Sequence, residues 1–191
     1  KGVEIADMNN EDLFGKVFFK LGFSDAIEKK LLTDYQLVII GVDDHTISEY
    51  ITNRELIKTK EDSYTDAKSL AAYIGLIKAI KDYDLKRLIS FHNRVSSAKS
   101  FSEEFQNFMN ILSKKNIPKG SIFIDYVSGL MSTHKRKQKL DQLKELSLSD
   151  RMILSNARCL SEGVDVPALD GIAIIDPRKS KTDIVQTVGR A

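Results

Sequence analysis

The sequence has little of what disulfide frameworks, metal clusters and membrane anchors are made from. Its 191 residues include one cysteine, Cys159, three prolines and no tryptophan. A single cysteine excludes an internal disulfide and a zinc site built from several cysteines, and it is typical of a reducing compartment, so we expect a cytoplasmic protein. Asp43, Asp44 and His45 are contiguous, so their side chains cannot easily converge on one metal ion and we expect none to be bound there.

Long apolar runs and a charge of one sign are also absent. No apolar run approaches the roughly 18 residues that a membrane span needs, and the N-terminus lacks the basic-then-apolar pattern of a signal peptide. We therefore expect no membrane partner. Lys and Arg number 29 against 27 Asp and Glu, which gives a formal net charge of +2. This balance does not by itself indicate a nucleic-acid partner, so any basic surface must be local.

Strands and helices are predicted to alternate along most of the chain. Short runs rich in β-branched residues predict strands at 35–42, 87–91, 121–127, 151–155 and 171–175. Apolar residues at three- and four-residue steps predict helices at 65–83, 97–112 and 133–146. A further helix is expected after Pro177, capped by Ser180 or Thr182. This alternation predicts an α/β domain with a mainly parallel sheet and helices on both faces.

The first 34 residues do not follow this alternation. Residues 13–23 (LFGKVFFKLGF) are predicted to form an edge hairpin or an extended arm. Ser24 is predicted to cap a short helix after it. We therefore separate residues 1–34 from a main domain at 35–191.

Two short motifs near the C-terminus carry the strongest functional signal: EGVDVP at 162–167 and QTVGRA at 186–191. Each has an ordinary interpretation, the first as a tight turn and the second as a surface helix with a solvated arginine. Paired in this order, they resemble motifs V and VI of helicase superfamily 2. The form of the first motif resembles the restriction-enzyme and DNA-repair branch of that superfamily. The resemblance implies that 35–191 is the second, C-terminal RecA-like domain, and that 1–34 connects it to a missing first one.

The resemblance assigns five residues to an ATP site. Asp165 would face the nucleotide, Gly163 would give the backbone room, and Gly189 belongs to the Gly-Arg pair of motif VI. Arg190 would act as an arginine finger, because a rigid guanidinium stabilises charge on a transferring phosphoryl group. Gln186 would orient near the same phosphate or the attacking water.

The remaining parts of such an ATP site are missing from the sequence. It contains no GxxxxGK[ST] loop and no DEAD-like tetrapeptide for magnesium. In the family these belong to the first RecA-like domain, so the resemblance implies that ATP and Mg²⁺ are held jointly with that domain, which supplies the Mg²⁺ ligands. We expect this chain, cut within its last motif, to be inactive alone.

Two strand ends are candidates for contacts with a nucleic-acid backbone. The segment LISFHNR at 88–94 resembles motif IV, which places His92, Asn93 and Arg94 at the carboxyl end of a strand. Ser155 and Asn156 stand where family members often carry a threonine that binds phosphate. The ordinary alternative for His92, Asn93 and Arg94 is a loop that leads into a helix.

A third candidate is the basic start of the helix at 133–146. With Ser132 or Thr133 as N-cap, its first turn holds four cationic or titratable residues, His134, Lys135, Arg136 and Lys137. Cations there oppose the helix dipole at roughly 0.3–1 kcal/mol each, which favours a phosphate-binding role for Lys135 and Lys137. A solvated charged face is the alternative. Gly129 and Arg136 match a Gly-then-Arg stretch of the family, where the arginine is structural.

We therefore predict the C-terminal motor domain of an ATP-dependent helicase or translocase. Its expected partners are nucleic acid, DNA rather than RNA, and the first RecA-like domain of the same parent chain. One alternative is a non-catalytic α/β binding module derived from a helicase. Another is a nucleotide-sugar transferase domain, whose chemistry has no need for the QxxGR spacing.

Overall fold

The computed structural model describes residues 10–43, 45, 67–110, 112, 117–157, 160, 169–177, 180 and 184. The chain separates into two units, Lys1–Gln36 and Leu37–Ala191. The predicted domain division and the connecting role of residues 1–34 stay predictions. Within the described ranges, none of the helices combines the length and apolar character that crossing a bilayer requires.

The first unit contains two short helices whose ends are fixed by local hydrogen bonds. Helix α1 is Glu11–Phe14, and the side chain of its N-cap Asn10 accepts from the Asp12 and Leu13 backbone N–H groups. Helix α2 is Phe23–Glu28, and its N-cap is Gly22, whose N–H donates to the Asp25 carboxylate at 3.3 Å. The prediction of Ser24 as the cap was wrong. The hairpin was also wrong, because residues 15–22 form no strand.

The second unit is a parallel α/β sheet. Its elements are α3 (Ala67–Asp82), β1 (Arg87–Phe91), α4 (Val95–Met109), β2 (Ile122–Val127), α5 (Thr133–Lys144), β3 (Arg151–Asn156) and β4 (Gly171–Ile174). The strand order is β2-β3-β1-β4 and every pairing is parallel. The predicted fold class is confirmed.

Alternate side chains of the strands build two apolar layers. Leu88 of β1 and Ile153 of β3 belong to the larger layer, which packs against α3 and α4. In that layer the Tyr73 ring contacts three phenylalanine rings of α4, with centroids 5.1–5.7 Å apart. Ile89 and Leu154, one residue further along each strand, pack on the opposite face with Leu143 of α5. The sheet is therefore covered by helices on both faces, as the alternation predicts.

The predicted strand at 35–42 was wrong. Residues 35–43 lie in no strand or helix, although their composition is typical of β-structure. Instead, the Cγ2 atoms of Ile40 and Val42 lie 3.6 Å from the point where a Cβ would stand on Gly75 of α3. Ile40 and Val42 therefore pack on a helix rather than pair in a sheet, while Leu37, Val38 and Ile39 are exposed, so β-propensity alone did not decide the structure here.

The amino end of the sheet is held by Arg151. Its buried guanidinium bonds to the Lys119 carbonyl and pairs with Asp84, so the loops before β1, β2 and β3 meet at one side chain. Gly120 makes this approach possible. Its φ is +90°, and a Cβ there would lie 1.7 Å from the Ser149 carbonyl oxygen, so no other residue fits without moving the backbone.

Candidate nucleic-acid interface

The loops that follow β1, β3 and β4 meet at the carboxyl edge of the sheet. Phe91 of β1 lies in register with Asn156 of β3 on one side and with Ile174 of β4 on the other. Residues that follow Asn156 and Ile174 therefore lie beside those that follow Phe91, although Asn156 and Ile174 are 65 and 83 positions away from it in sequence. Open parallel sheets bind ligands at this edge.

His92 occupies the centre of this edge as a buried side chain. It is 2% exposed, and its ring lies 4.7 Å from that of Phe101, centroid to centroid. Its backbone N–H donates to the Asn156 carbonyl at 2.9 Å. Burial lowers the pKa of the imidazole from 6.5 to about 4, and the charge of Asp176 opposes this shift only in part. At neutral pH the ring is therefore uncharged and holds the loop by packing.

A chain of hydrogen bonds links β1 to β3 beneath the loop. The Ser90 hydroxyl donates to Ser155 Oγ at 2.8 Å, and His92 Nε2 lies 3.2 Å from the same Ser90 oxygen. Ser90 is therefore the shared partner of His92 and Ser155 in this chain of hydrogen bonds.

The Asn156 side chain is also satisfied within the domain. Its Nδ2 donates to the Ser90 carbonyl at 3.3 Å, and its Oδ1 accepts from the Leu160 N–H at 3.4 Å. Ser155 and Asn156 are both fully buried. A phosphate contact by either side chain would require it to exchange a partner that it holds in this structure, so that role stays a prediction.

Asn93 and Arg94 are the members of the predicted motif IV group that reach solvent. Arg94 is the N-cap of α4, has an extended backbone and makes no side-chain cap hydrogen bond. The helix therefore begins at Val95, two residues before the predicted position. Its guanidinium is exposed at the carboxyl edge, where it is available to a phosphate.

Asp176 positions this loop, and sequence reasoning missed it. Its Oδ2 accepts from the Asn93 backbone N–H at 3.0 Å, and its Oδ1 lies 3.5 Å from Lys68 Nζ of α3. The Asn93 side chain in turn donates to the Pro177 carbonyl at 3.5 Å. One carboxylate therefore connects the ends of β1 and β4 with α3. The only sequence signal was its place, one carboxylate between a buried strand and a proline.

The basic start of α5 lies at the same edge, after β2. Ser132 is the N-cap, and its hydroxyl accepts from the Lys135 backbone N–H at 3.4 Å. The side chains of Lys135 and Lys137 are exposed, and Arg136 is half-buried and donates to Thr133 Oγ1 at 3.4 Å. The first two are thus accessible to an anion, while Arg136 bonds within its own helix.

The residues predicted to serve ATP lie outside the described residues. These are Gly163, Asp165, Gln186, Gly189 and Arg190. Of the predicted C-terminal helix, the structure describes one hydrogen bond, from the Ile184 N–H to the Ser180 carbonyl at 3.1 Å. Among the described residues, no group of three or more His, Cys, Asp or Glu is arranged to hold a metal ion.

Comparison with known families decides the membership of the chain. The helicase conserved C-terminal domain matches residues 72–191, which include every strand of the sheet and all the predicted site residues. The chain belongs to this helicase C-terminal family. The branch within superfamily 2 stays a prediction.

Relatives of this helicase domain occur in African swine fever virus. It is 22% identical over 185 residues to the probable helicase A859L of isolate Tick/Malawi/Lil 20-1/1983, and equally so to that of isolate Pig/Kenya/KEN-50/1950. Each match covers 96% of this chain and 19% of the relative. The helicase domain described here thus spans about a fifth of the length of the curated relatives it matches.

Solved helicase structures also resemble it. Domain 2 of the DEAD-box helicase Mss116p, bound to an RNA duplex, is 19% identical with a TM-score of 0.48, over 65% of this chain and 44% of that one. The Hef helicase domain of Pyrococcus furiosus is 20% identical with a TM-score of 0.45, over 77% of this chain and 27% of that one.

Proposed function

We propose that this helicase C-terminal domain is the second motor domain of an ATP-dependent nucleic-acid helicase or translocase. The observation that carries the proposal is the family match over residues 72–191, which spans the QTVGRA segment and its candidate finger Arg190. The first motor domain would supply the phosphate loop and the Mg²⁺ ligands, and residues 1–34 would connect the two.

The proposed cycle assigns separate tasks to the two groups of residues. ATP would close the two domains, with Arg190 and Gln186 completing the site beside Gly163, Asp165 and Gly189. Hydrolysis would reopen them. During the cycle the carboxyl edge would hold the strand backbone through Arg94 and the start of α5, supported by Asp176 beneath the loop. Contacts of this kind bind phosphate rather than bases, so we expect little sequence specificity from them.

The test is ATP hydrolysis by the full-length protein, measured without nucleic acid and with single- and double-stranded DNA and RNA. We expect stimulation, stronger with DNA, and a loss of turnover of about 10³-fold or more in Arg190→Ala, the lower range for arginine fingers. Lys144→Ala, which removes an exposed cation of α5, is the matched control and should keep full activity.

A non-catalytic nucleic-acid-binding module is the second candidate. The exposed Arg94, Lys135 and Lys137 at the carboxyl edge favour it, because these cations could bind a phosphate backbone without an ATP site. Oligonucleotide binding without hydrolysis under every condition would establish this module and exclude the motor.

A further inference from the structure

An open groove of about 850 Å³ lies between the carboxyl end of β2 and the first three turns of α5. One wall is a single face of the helix, formed by Lys135, Gln138 and Gln142 at steps of three and four residues. Tyr126, near the end of β2, lines the other side. These side chains are separate from those that hold the loops after β1, β3 and β4.

The charges in the groove are not balanced. Lys139 Nζ pairs with the Asp125 carboxylate and lies 5.7 Å from the centroid of the Tyr126 ring. The pair neutralises the one acidic side chain among the groove residues. Lys135 is exposed and makes no ion pair within the described part of the chain, so the groove carries a net positive charge at its mouth.

The groove offers three kinds of contact side by side. Tyr126 supplies a half-buried aromatic ring with Lys139 Nζ over one face, Gln138 and Gln142 supply amide donors and acceptors one helical turn apart, and Lys135 supplies a cation. A nucleotide of a single strand needs these three contacts, for its base face, its base edge and its phosphate. We propose that this groove binds one unstacked nucleotide of the strand that the motor holds, with its base against Tyr126 and its phosphate toward Lys135.

The position of the groove supports this occupant. Tyr126 lies in register with Ser155 of β3, which in turn lies beside Ser90 of β1. The groove is therefore two strand spacings, roughly 10 Å, from the loop that carries Arg94. A strand backbone that contacts Arg94 and continues along the carboxyl edge reaches Lys135 within a few nucleotides.

An acidic peptide is the competing occupant, since it would also be attracted by Lys135. Its carboxylates make no use of the aromatic ring, and the Asp125–Lys139 pair removes one of the two cations they would need. The observations therefore favour the nucleotide.

The inference rests on the proposed function, and its test separates the two. The affinity of the full-length protein for a labelled single-stranded oligonucleotide is measured while an abasic site, which keeps the phosphate and removes the base, is moved along the strand. We expect one position at which base removal weakens binding by about fivefold to a hundredfold, the range of base–aromatic stacking.

The protein variants complete a cycle with the abasic strands. Tyr126→Ala should weaken binding of the intact strand by a similar factor and cause no further loss with the abasic strand at that position. Tyr126→Phe should bind as the unaltered protein does, since it keeps the ring. Gln138→Ala, at an exposed position, should also weaken binding, while the exposed Lys144→Ala should not.

Photo-crosslinking identifies the contact directly. An oligonucleotide with 5-iodouracil at the sensitive position should crosslink to Tyr126, as found by peptide mass spectrometry. Suppose that oligonucleotides stimulate hydrolysis, but that neither the abasic sites nor Tyr126→Ala changes their binding. That result would overturn the proposed role of the groove and leave the proposed motor function standing. Base-dependent binding through Tyr126 without hydrolysis would overturn the motor alone. An acidic peptide whose binding requires Lys135 and Gln138, while the oligonucleotide requires neither, would assign the groove to a peptide.

Discussion

The two halves of the carboxyl edge use their polar residues in opposite ways. At the ends of β1 and β3, Ser90, His92, Ser155 and Asn156 are buried and bonded to one another. After β2, the polar side chains of α5 line an open groove and face solvent. The first half keeps a loop in place, and the second has polar groups to offer a ligand. A polar residue at a strand end is thus a candidate for binding only when its hydrogen bonds are not already used by the fold.

Lowering the pH should reduce the folding stability of the domain through His92, which belongs to the first half. His92 becomes protonated below about pH 6.5 in the unfolded chain, whereas burial lowers its pKa to about 4 in the folded chain. The unfolded state therefore binds more protons in this window, and folding stability falls as the pH falls, by roughly 3 kcal/mol at most. Urea unfolding of His92→Gln should show a smaller loss over the same range. Parallel curves for the two proteins would contradict the burial of a neutral imidazole.

Removing the Asn156 amide should destabilise the domain by about 1–3 kcal/mol. Asn156→Ala leaves the buried Leu160 N–H without its side-chain acceptor, and a buried unpaired donor has about this cost. Asn107→Ala, on the exposed side of α4, is the matched control and should change stability by less than about 0.5 kcal/mol. Equal losses of stability for the two variants in urea unfolding would mean that the hydrogen bonds of Asn156 contribute no more to folding than an exposed side chain does.

Single lysine or arginine changes should show which cations of the carboxyl edge contact phosphate. On a single strand, the slope of log affinity against log salt decreases by about 0.7 for each phosphate that the protein no longer neutralises. We expect that decrease for Arg94→Ala and for Lys135→Ala, and none for Lys144→Ala. An unchanged slope for Lys135→Ala would mean that the second half does not bind phosphate through this lysine.

Much of this fold is predictable because the central strands are short, apolar and bounded by polar turns. The bounds of β1 were predicted without error, and the cap at Ser132 was one of two predicted. The prediction of a strand at 35–42 was wrong, because Ile40 and Val42 pack on α3 and the other apolar side chains of the segment are exposed. Local composition does not show that Ile40 will pack against Gly75, which lies 35 residues away in sequence.

The site was harder to predict for a related reason. Sequence position indicated that His92 follows a strand and that Ser155 and Asn156 lie at the end of one, and the structure places them there. It did not indicate that their hydrogen bonds would be made within the sheet, since those depend on the register of β1 with β3. Asp176 and Tyr126 had no motif to mark them, and they emerge only when the strand ends are brought side by side.

Because all four strands run the same way, the sheet has a mechanical direction. A load applied to the carboxyl edge along the strand axes passes through the ladders to the amino end, where Arg151 joins the loops before β1, β2 and β3. Such a pull loads the hydrogen bonds of each ladder in shear, all at once, rather than opening them one after another. A sheet loaded in this way is stiff along its strands, so under tension the loops at its edge deform first.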